Sequence, residues 1–188
     1  SIVKFFLFIP YGIRKADNSK VPKDGGLIVC PNHSSLLDPV FVALALNRQL
    51  TFMAKKELFK FKPFGKLISM LGAFPVDRDH SDVAAIKTSI RLIKGGHAML
   101  MFPQGKRTKK ADGEKGKHGA VRLAIMTGAP ILPVGVSEEN KAFRKRSYVR
   151  IGDPIFYGEY KGAHLTDEDY DRLTDNLLQS IYGLLDGD

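Results

Sequence analysis

A chain of 188 residues, 44% hydrophobic and 26% charged, is long enough to bury one core and too short to expect two. The composition argues against disorder. The single cysteine, Cys30, excludes an internal disulfide, and no closely spaced Cys or His pair reads as a zinc site.

In chain order, residues 2–9 are apolar except for Lys4 and end at Pro10. That run is too short to span a bilayer and carries no small-residue cleavage site. It reads as an interfacial anchor, the end of a longer apolar segment, or a helix packed on the core. The turn Lys23-Asp24-Gly25-Gly26 leads into a buried strand over 27–31, and Asp38-Pro39 opens a helix over 40–46. A strand over 51–54, a short helix over 64–71 and a strand over 73–76 follow. Ser81 can cap a helix ending at Lys94, whose stripe is Val83, Ile86, Ile90 and Ile93, and Gly95-Gly96 stops it. Residues 98–102 read as a strand, 119–127 as a helix and 131–136 as a strand. Short outer strands are expected over 149–151 and 155–157. The amphipathic helix over 166–185 places Leu173, Leu177, Leu178, Ile181 and Leu185 on one face.

Strands that are apolar throughout and alternate with helices predict a single α/β layered domain over 1–188. Its sheet should be mixed but largely parallel, with helices flanking it. In such sheets the ligand crevice lies outside the carboxyl ends of the strands. Three polar clusters fall there: 32–38, 77–79 and 104–110.

The net charge of +9 calls for an anionic partner: nucleic acid, an anionic membrane or phosphorylated substrates. The charge is local. Residues 104–122 and 141–150 are strongly basic, whereas 166–188 are acidic. Between residues 55 and 66, Lys55, Lys56, Lys60, Lys62 and Lys66 alternate with Leu58, Phe59, Phe61 and Phe64, and Leu67 and Ile68 follow. Lysines with exposed aromatics suit an anionic membrane surface; buried phenylalanines would instead make this a core helix. No RNA- or DNA-binding motif is recognisable and the aromatics sit in apolar runs, so no nucleic-acid partner is expected.

The chemistry concentrates in Asn32-His33-Ser34-Ser35-Leu36-Leu37-Asp38. A His and an Asp five residues apart across a strand-to-helix turn can bring a carboxylate against one imidazole nitrogen, leaving the other to take a proton. Imidazole changes charge near neutral pH, which suits that task. No Gly-x-Ser-x-Gly elbow supplies a protein nucleophile, so the base would act directly on a substrate hydroxyl. The same residues also read as an ordinary helix start with Asp38 as N-cap. Arg78, just past a strand, can grip phosphate or pair with Asp77 or Asp79. In Phe102-Pro103-Gln104-Gly105-Lys106-Arg107, glycine permits close approach of a ligand and two cations supply charge, or the stretch is a solvated basic loop. The prolines of 130–134 shape a strand. Cys30 lies in an apolar strand and reads as core. His97 reads as structural, and His80, His118 and His164 as solvent-exposed.

Taken in order, these clusters resemble the four motifs of the glycerolipid acyltransferase family, the 1-acylglycerol-3-phosphate acyltransferases. Asn32, His33 and Asp38 match its Asn-His-x₄-Asp. Residues 72–78, with Gly72 and Arg78, match its Gly…Arg motif. Phe102, Pro103, Gly105 and Arg107 match its Phe-Pro-Glu-Gly-x-Arg, and 130–134 its proline motif. The likeness spans about residues 21–157. It implies an enzyme that moves a fatty acyl group from acyl-CoA or acyl carrier protein to the sn-2 hydroxyl of 1-acylglycerol-3-phosphate, giving phosphatidic acid. By the same likeness His33 is the base, Asp38 orients it, and Arg78 and Arg107, with the added cation Lys106, bind the acceptor phosphate. Asn32, Gly72, Phe102, Pro103, Gln104 and Gly105 form the substrate-site loops. No metal or bound cofactor is implied. The expected place is the cytoplasmic face of a membrane, bound peripherally or monotopically through Phe59, Lys60, Phe61, Lys62 and Phe64, with residues 1–20 as a further contact. Gln104 departs from the family's Glu: the size and the acceptor oxygen are kept and the charge is lost. That departure keeps two alternatives open, another acceptor (glycerol-3-phosphate or an amino-acid lysolipid) and a silent lipid-binding homologue.

Overall fold

The computed structural model describes residues 16–35, 37–76, 83–108, 115–141 and 144–185. The apolar run 2–9, Asp77 to Asp79 with Arg78, His80, Ser81, Lys109 and Lys110 lie outside the described residues.

Six strands form one sheet: β1 (Leu27–Pro31), β2 (Leu50–Lys55), β3 (Ala73–Val76), β4 (Ala98–Leu100), β5 (Ile131–Lys141) and β6 (Arg144–Ile151). Their spatial order is β3-β2-β4-β1-β5-β6. The first five run parallel, and only β6 pairs antiparallel, with β5. The helices are α1 (Asp38–Ala45), α2 (Lys62–Met70), α3 (Val83–Lys94), α4 (Gly119–Thr127) and α5 (Asp167–Gly183). The α/β sheet flanked by helices expected from the apolar runs is therefore the observed architecture.

Strand β1 shows why those runs do not alternate. All five of its residues are buried. Leu27 and Val29 face one core with α1 and α2, while Ile28 and Cys30 face the other with α3, α4 and α5. A strand covered on both sides needs apolar residues at every position. Burial also pushes the Cys30 thiol far above its usual range, so it stays protonated and unreactive.

Three expectations change. The strand expected to end at Val136 continues to Lys141 and pairs in register with β6 to Arg144. That extension carries Ser137, Glu138, Glu139 and Asn140, whose polarity gives no buried-strand signal. Ile155 makes only an isolated bridge to Ile131 and starts no strand. On α3, Ile93 is buried, but Val83 and Ile86 are 57% and 52% exposed. Both exposed residues lie within the first four of the helix.

Helix α5 is fixed at its start by a capping box. Thr166 Oγ1 accepts from Asp169 N–H, and the Asp169 carboxylate accepts from Thr166 N–H. Three acidic residues in its first turn face the positive end of the helix dipole. Leu173, Leu177, Leu178 and Ile181 are buried as the sequence pattern requires, and Leu185 is half-buried.

Gly72 lies at the amino end of β3, so the sheet separates it from the carboxyl edge where a substrate loop was expected. Its φ is +95°, and a Cβ there would run into the carbonyl oxygen of Leu50. The glycine thus closes the turn from α2 into β3. Gly72→Ala should destabilise by about 2 kcal/mol, lowering Tm by roughly 4–8 °C. A thermal melt within 1 °C of wild type would show that the turn relaxes without cost.

Candidate active site

The carboxyl ends of β1 and β4 converge on His33. Strand β1 ends at Pro31, and Asn32 extends its pairing with β5 through its side chain. Asn32 Nδ2 donates to Val136 O (2.9 Å), and Asn32 Oδ1 accepts from Val136 N (2.7 Å). A carboxamide has the same donor and acceptor as a peptide group, so the buried side chain adds one rung to the ladder and frees the backbone to turn at His33.

Asp38 then holds that turn. Its side chain is fully buried, and Oδ2 accepts from Ser34 N (2.7 Å), Ser35 N (2.7 Å) and His33 Nδ1 (3.1 Å). The expected N-cap role is not what the residue does. Leu37 occupies the N-cap position, and Asp38 turns its carboxylate back onto the preceding loop. Pro39 opens the helix as expected, because its missing N–H is not needed there. A carboxylate can only accept, so the nitrogen facing it carries the proton: in the neutral ring Nδ1 is N–H and Nε2 holds the lone pair.

The loop after β4 supplies the rest. Phe102 stacks on the His33 ring, with centroids 3.9 Å apart and an interplanar angle of 23°. Pro103 is buried, and its carbonyl accepts from Lys117 N (2.6 Å). Gly105, with φ +72°, closes a tight turn whose N–H bonds Phe102 O (3.1 Å). Gln104 is buried at 5% exposure beneath the loop. Its Oε1 accepts from His33 N (2.6 Å), and its Nε2 donates to Thr108 Oγ1 (2.9 Å) and Tyr182 OH (2.8 Å). Thr108 N in turn donates to His33 O (2.8 Å). Lys106 and Arg107 are exposed on the same loop. Tyr182 and Thr108 were not singled out from the sequence, because nothing local to either residue points at His33.

The structure thus brings Asn32, His33, Asp38, Phe102, Pro103, Gln104, Gly105, Lys106 and Arg107 to one edge. Gly72 is at the opposite edge, and Arg78 lies outside the described residues. Among the described residues no group of three His, Cys, Asp or Glu side chains could hold a metal ion. Of the other histidines, His97 is exposed and joins its neighbours through its backbone, whose O accepts from Leu27 N (3.3 Å). His118, expected in solvent, is half-buried, bonding Asp171 through Nε2 (2.7 Å) beside the Tyr170 ring. That bond holds the Asp171 carboxyl below its usual range.

Comparison with known proteins gives the family. The acyltransferase family model matches residues 12–137, which include every described loop of the site. The chain belongs to the acyltransferase family. It is 34% identical to a 1-acyl-sn-glycerol-3-phosphate acyltransferase of Bacillus subtilis (strain 168), over 95% of this chain and 91% of that protein. It is also 34% identical to the Streptococcus pneumoniae protein of the same name, over 90% of this chain and 64% of that one. The crystal structure of the 1-acyl-sn-glycerophosphate acyltransferase PlsC from Thermotoga maritima superimposes with a TM-score of 0.70. It covers 97% of this chain and 74% of its own at 22% identity, and so shares the fold.

Proposed function

We propose that this acyltransferase moves a fatty acyl chain from a thioester donor to the free hydroxyl of 1-acylglycerol-3-phosphate, with His33 as the base. The observation that carries this reading is the contact of His33 Nδ1 with the buried Asp38 carboxylate, which leaves Nε2 free to accept a proton. The relatives' names supply the substrate class. The acceptor hydroxyl gives its proton to Nε2 as its oxygen attacks the thioester carbonyl. The new C–O bond forms, the tetrahedral intermediate collapses, the C–S bond breaks, and the departing sulfur takes the proton back from Nε2. Asp38 keeps Nδ1 protonated throughout and stabilises the transient imidazolium, the same service an aspartate gives in a hydrolytic triad. Phe102 limits the ring to one plane. Arg107 and Lys106, exposed beside this pair, fit an acceptor phosphate, and the resemblance adds Arg78.

The test is thiol release from acyl-CoA with and without 1-acylglycerol-3-phosphate. Release should require the acceptor, and His33→Ala should lower it by about 10²–10⁴-fold. Release without acceptor would identify a thioesterase instead. In the same assay Arg107→Ala should raise the acceptor KM by roughly tenfold or more while the donor KM stays near wild type. An equal loss for both substrates would remove Arg107 from phosphate binding.

The acceptor lives in a bilayer, and one surface is suited to reach it. The 3₁₀ turn Lys56–Phe59 and helix α2 expose Leu58, Phe61, Leu67 and Met70, with Phe61 and Met70 each 69% accessible. The exposed Lys60, Lys62 and Lys66 stand among them. Phe59 and Phe64, expected at the membrane, instead pack half-buried against the core, and Ile68 is buried. Apolar tips ringed by lysines favour peripheral attachment to an anionic surface, and no described helix is long and apolar enough to cross a membrane. Phe61→Glu should reduce co-sedimentation with phosphatidylglycerol vesicles by about tenfold. Unchanged sedimentation would take this surface out of membrane contact.

A further inference from the structure

The residue that departs from the family's third motif has no polar face turned to a ligand. A backbone N–H can only donate, so the Gln104 atom 2.6 Å from His33 N must be oxygen, and this orients the whole amide. Both Nε2 hydrogens are then spent, one on Thr108 Oγ1 and one on Tyr182 OH. Thr108 N–H donates to His33 O, which closes a ring of three bonds around the His33 peptide. The fourth bond leaves this ring for Tyr182, 78 residues away near the end of α5. That helix is anchored independently, by its capping box and by the fully buried Leu177 and Ile181.

We propose that Gln104 and Tyr182 are positioning residues: through them α5 holds the His33 peptide at the height where its ring meets the acceptor hydroxyl. The proposal rests on His33 being the base. It gives Gln104, expected as part of a substrate-site loop, a role behind that loop, since the side chain is buried and its donors are already used. It also accounts for how Gln can stand where the family has Glu. A carboxylate would accept from His33 N–H, and the Thr108 and Tyr182 hydroxyls can turn to donate to it. All three partners survive the exchange, with the proton direction reversed at two of them.

The experiment compares Gln104→Glu, Gln104→Ala, Tyr182→Phe and His33→Ala in steady-state transfer from acyl-CoA to 1-acylglycerol-3-phosphate, with each variant's Tm measured alongside. Gln104→Ala should lower kcat by about 10–100-fold with the acceptor KM changed less than about threefold. Gln104→Glu should restore kcat to within about threefold of wild type, a rescue that follows from the shared acceptor oxygens. Tyr182→Phe removes one hydroxyl from a chain that still folds and should lower kcat roughly 3–10-fold at unchanged KM. A Gln104→Ala enzyme with normal kcat and a raised acceptor KM would assign the residue to acceptor binding and overturn the proposal. So would a Tyr182→Phe enzyme at the wild-type kcat while His33→Ala is inactive. If His33→Ala keeps full kcat, the reading of the base falls and the bridge falls with it.

Discussion

A carboxylate taken out of water costs several kcal/mol unless N–H groups replace its hydration, and Asp38, with no exposed surface, meets three at a single oxygen. Two of those donors are backbone amides of the loop between β1 and α1. Asp38 therefore folds the loop and orients the imidazole with one atom. A carboxylate on Nδ1 leaves Nε2 as the ring nitrogen open to a substrate. Any substitution that changes how the loop wraps Asp38 also moves the proposed base, and under that reading stability and catalysis are coupled at this residue.

The sheet decides where this loop ends up. Strands β1 and β4 are parallel neighbours, so their carboxyl ends deliver His33 and Gln104 side by side although 71 residues separate them. Asn32 adds a side-chain rung to β5 at the place where β1's backbone must leave the ladder. Phe102 covers the imidazole from the other loop. The Asn32 bonds are buried and the contacts to His33 are part-buried, and together they hold the histidine in one position and one ring plane. The cations Lys106 and Arg107 sit beyond this framework on the exposed part of the loop. Under the proposed function, a fixed base beside long, exposed cationic side chains separates the acid–base geometry from the binding of a charged headgroup.

The fold was legible because a two-sided sheet leaves a local signal. Strands β1 and β3 and helix α4 have the bounds that apolar runs and glycine stops imply. The β5–β6 extension was not legible, since Glu138, Glu139 and Asn140 carry no apolar pattern. The exposure of Val83 and Ile86 was not legible either, since one helix's periodicity carries no information about its neighbours. Within the site, His33 and Asp38 share one short stretch, and their pairing could be read from spacing. Gln104 and Tyr182 are joined by a fold, and no spacing rule links residues in a loop and a distant helix. Gly72 misled for a related reason. A glycine in a motif shows that backbone freedom is required and leaves open which end of the strand requires it.

The exchange of Glu for Gln shows how much depends on the number of hydrogen-bond partners. Read from sequence, it removes a charge from a motif next to a base. Read in the fold, it changes which atoms carry protons inside a closed network. Buried at 5% exposure, a carboxylate would need strong donors to offset its desolvation. A carboxamide needs only complementary ones, and His33 N–H, Thr108 Oγ1 and Tyr182 OH provide them. The neutral residue thus satisfies the site without a second buried anion close to Asp38. Gln104 bonds the His33 backbone, and the contact with the ring is left to Asp38.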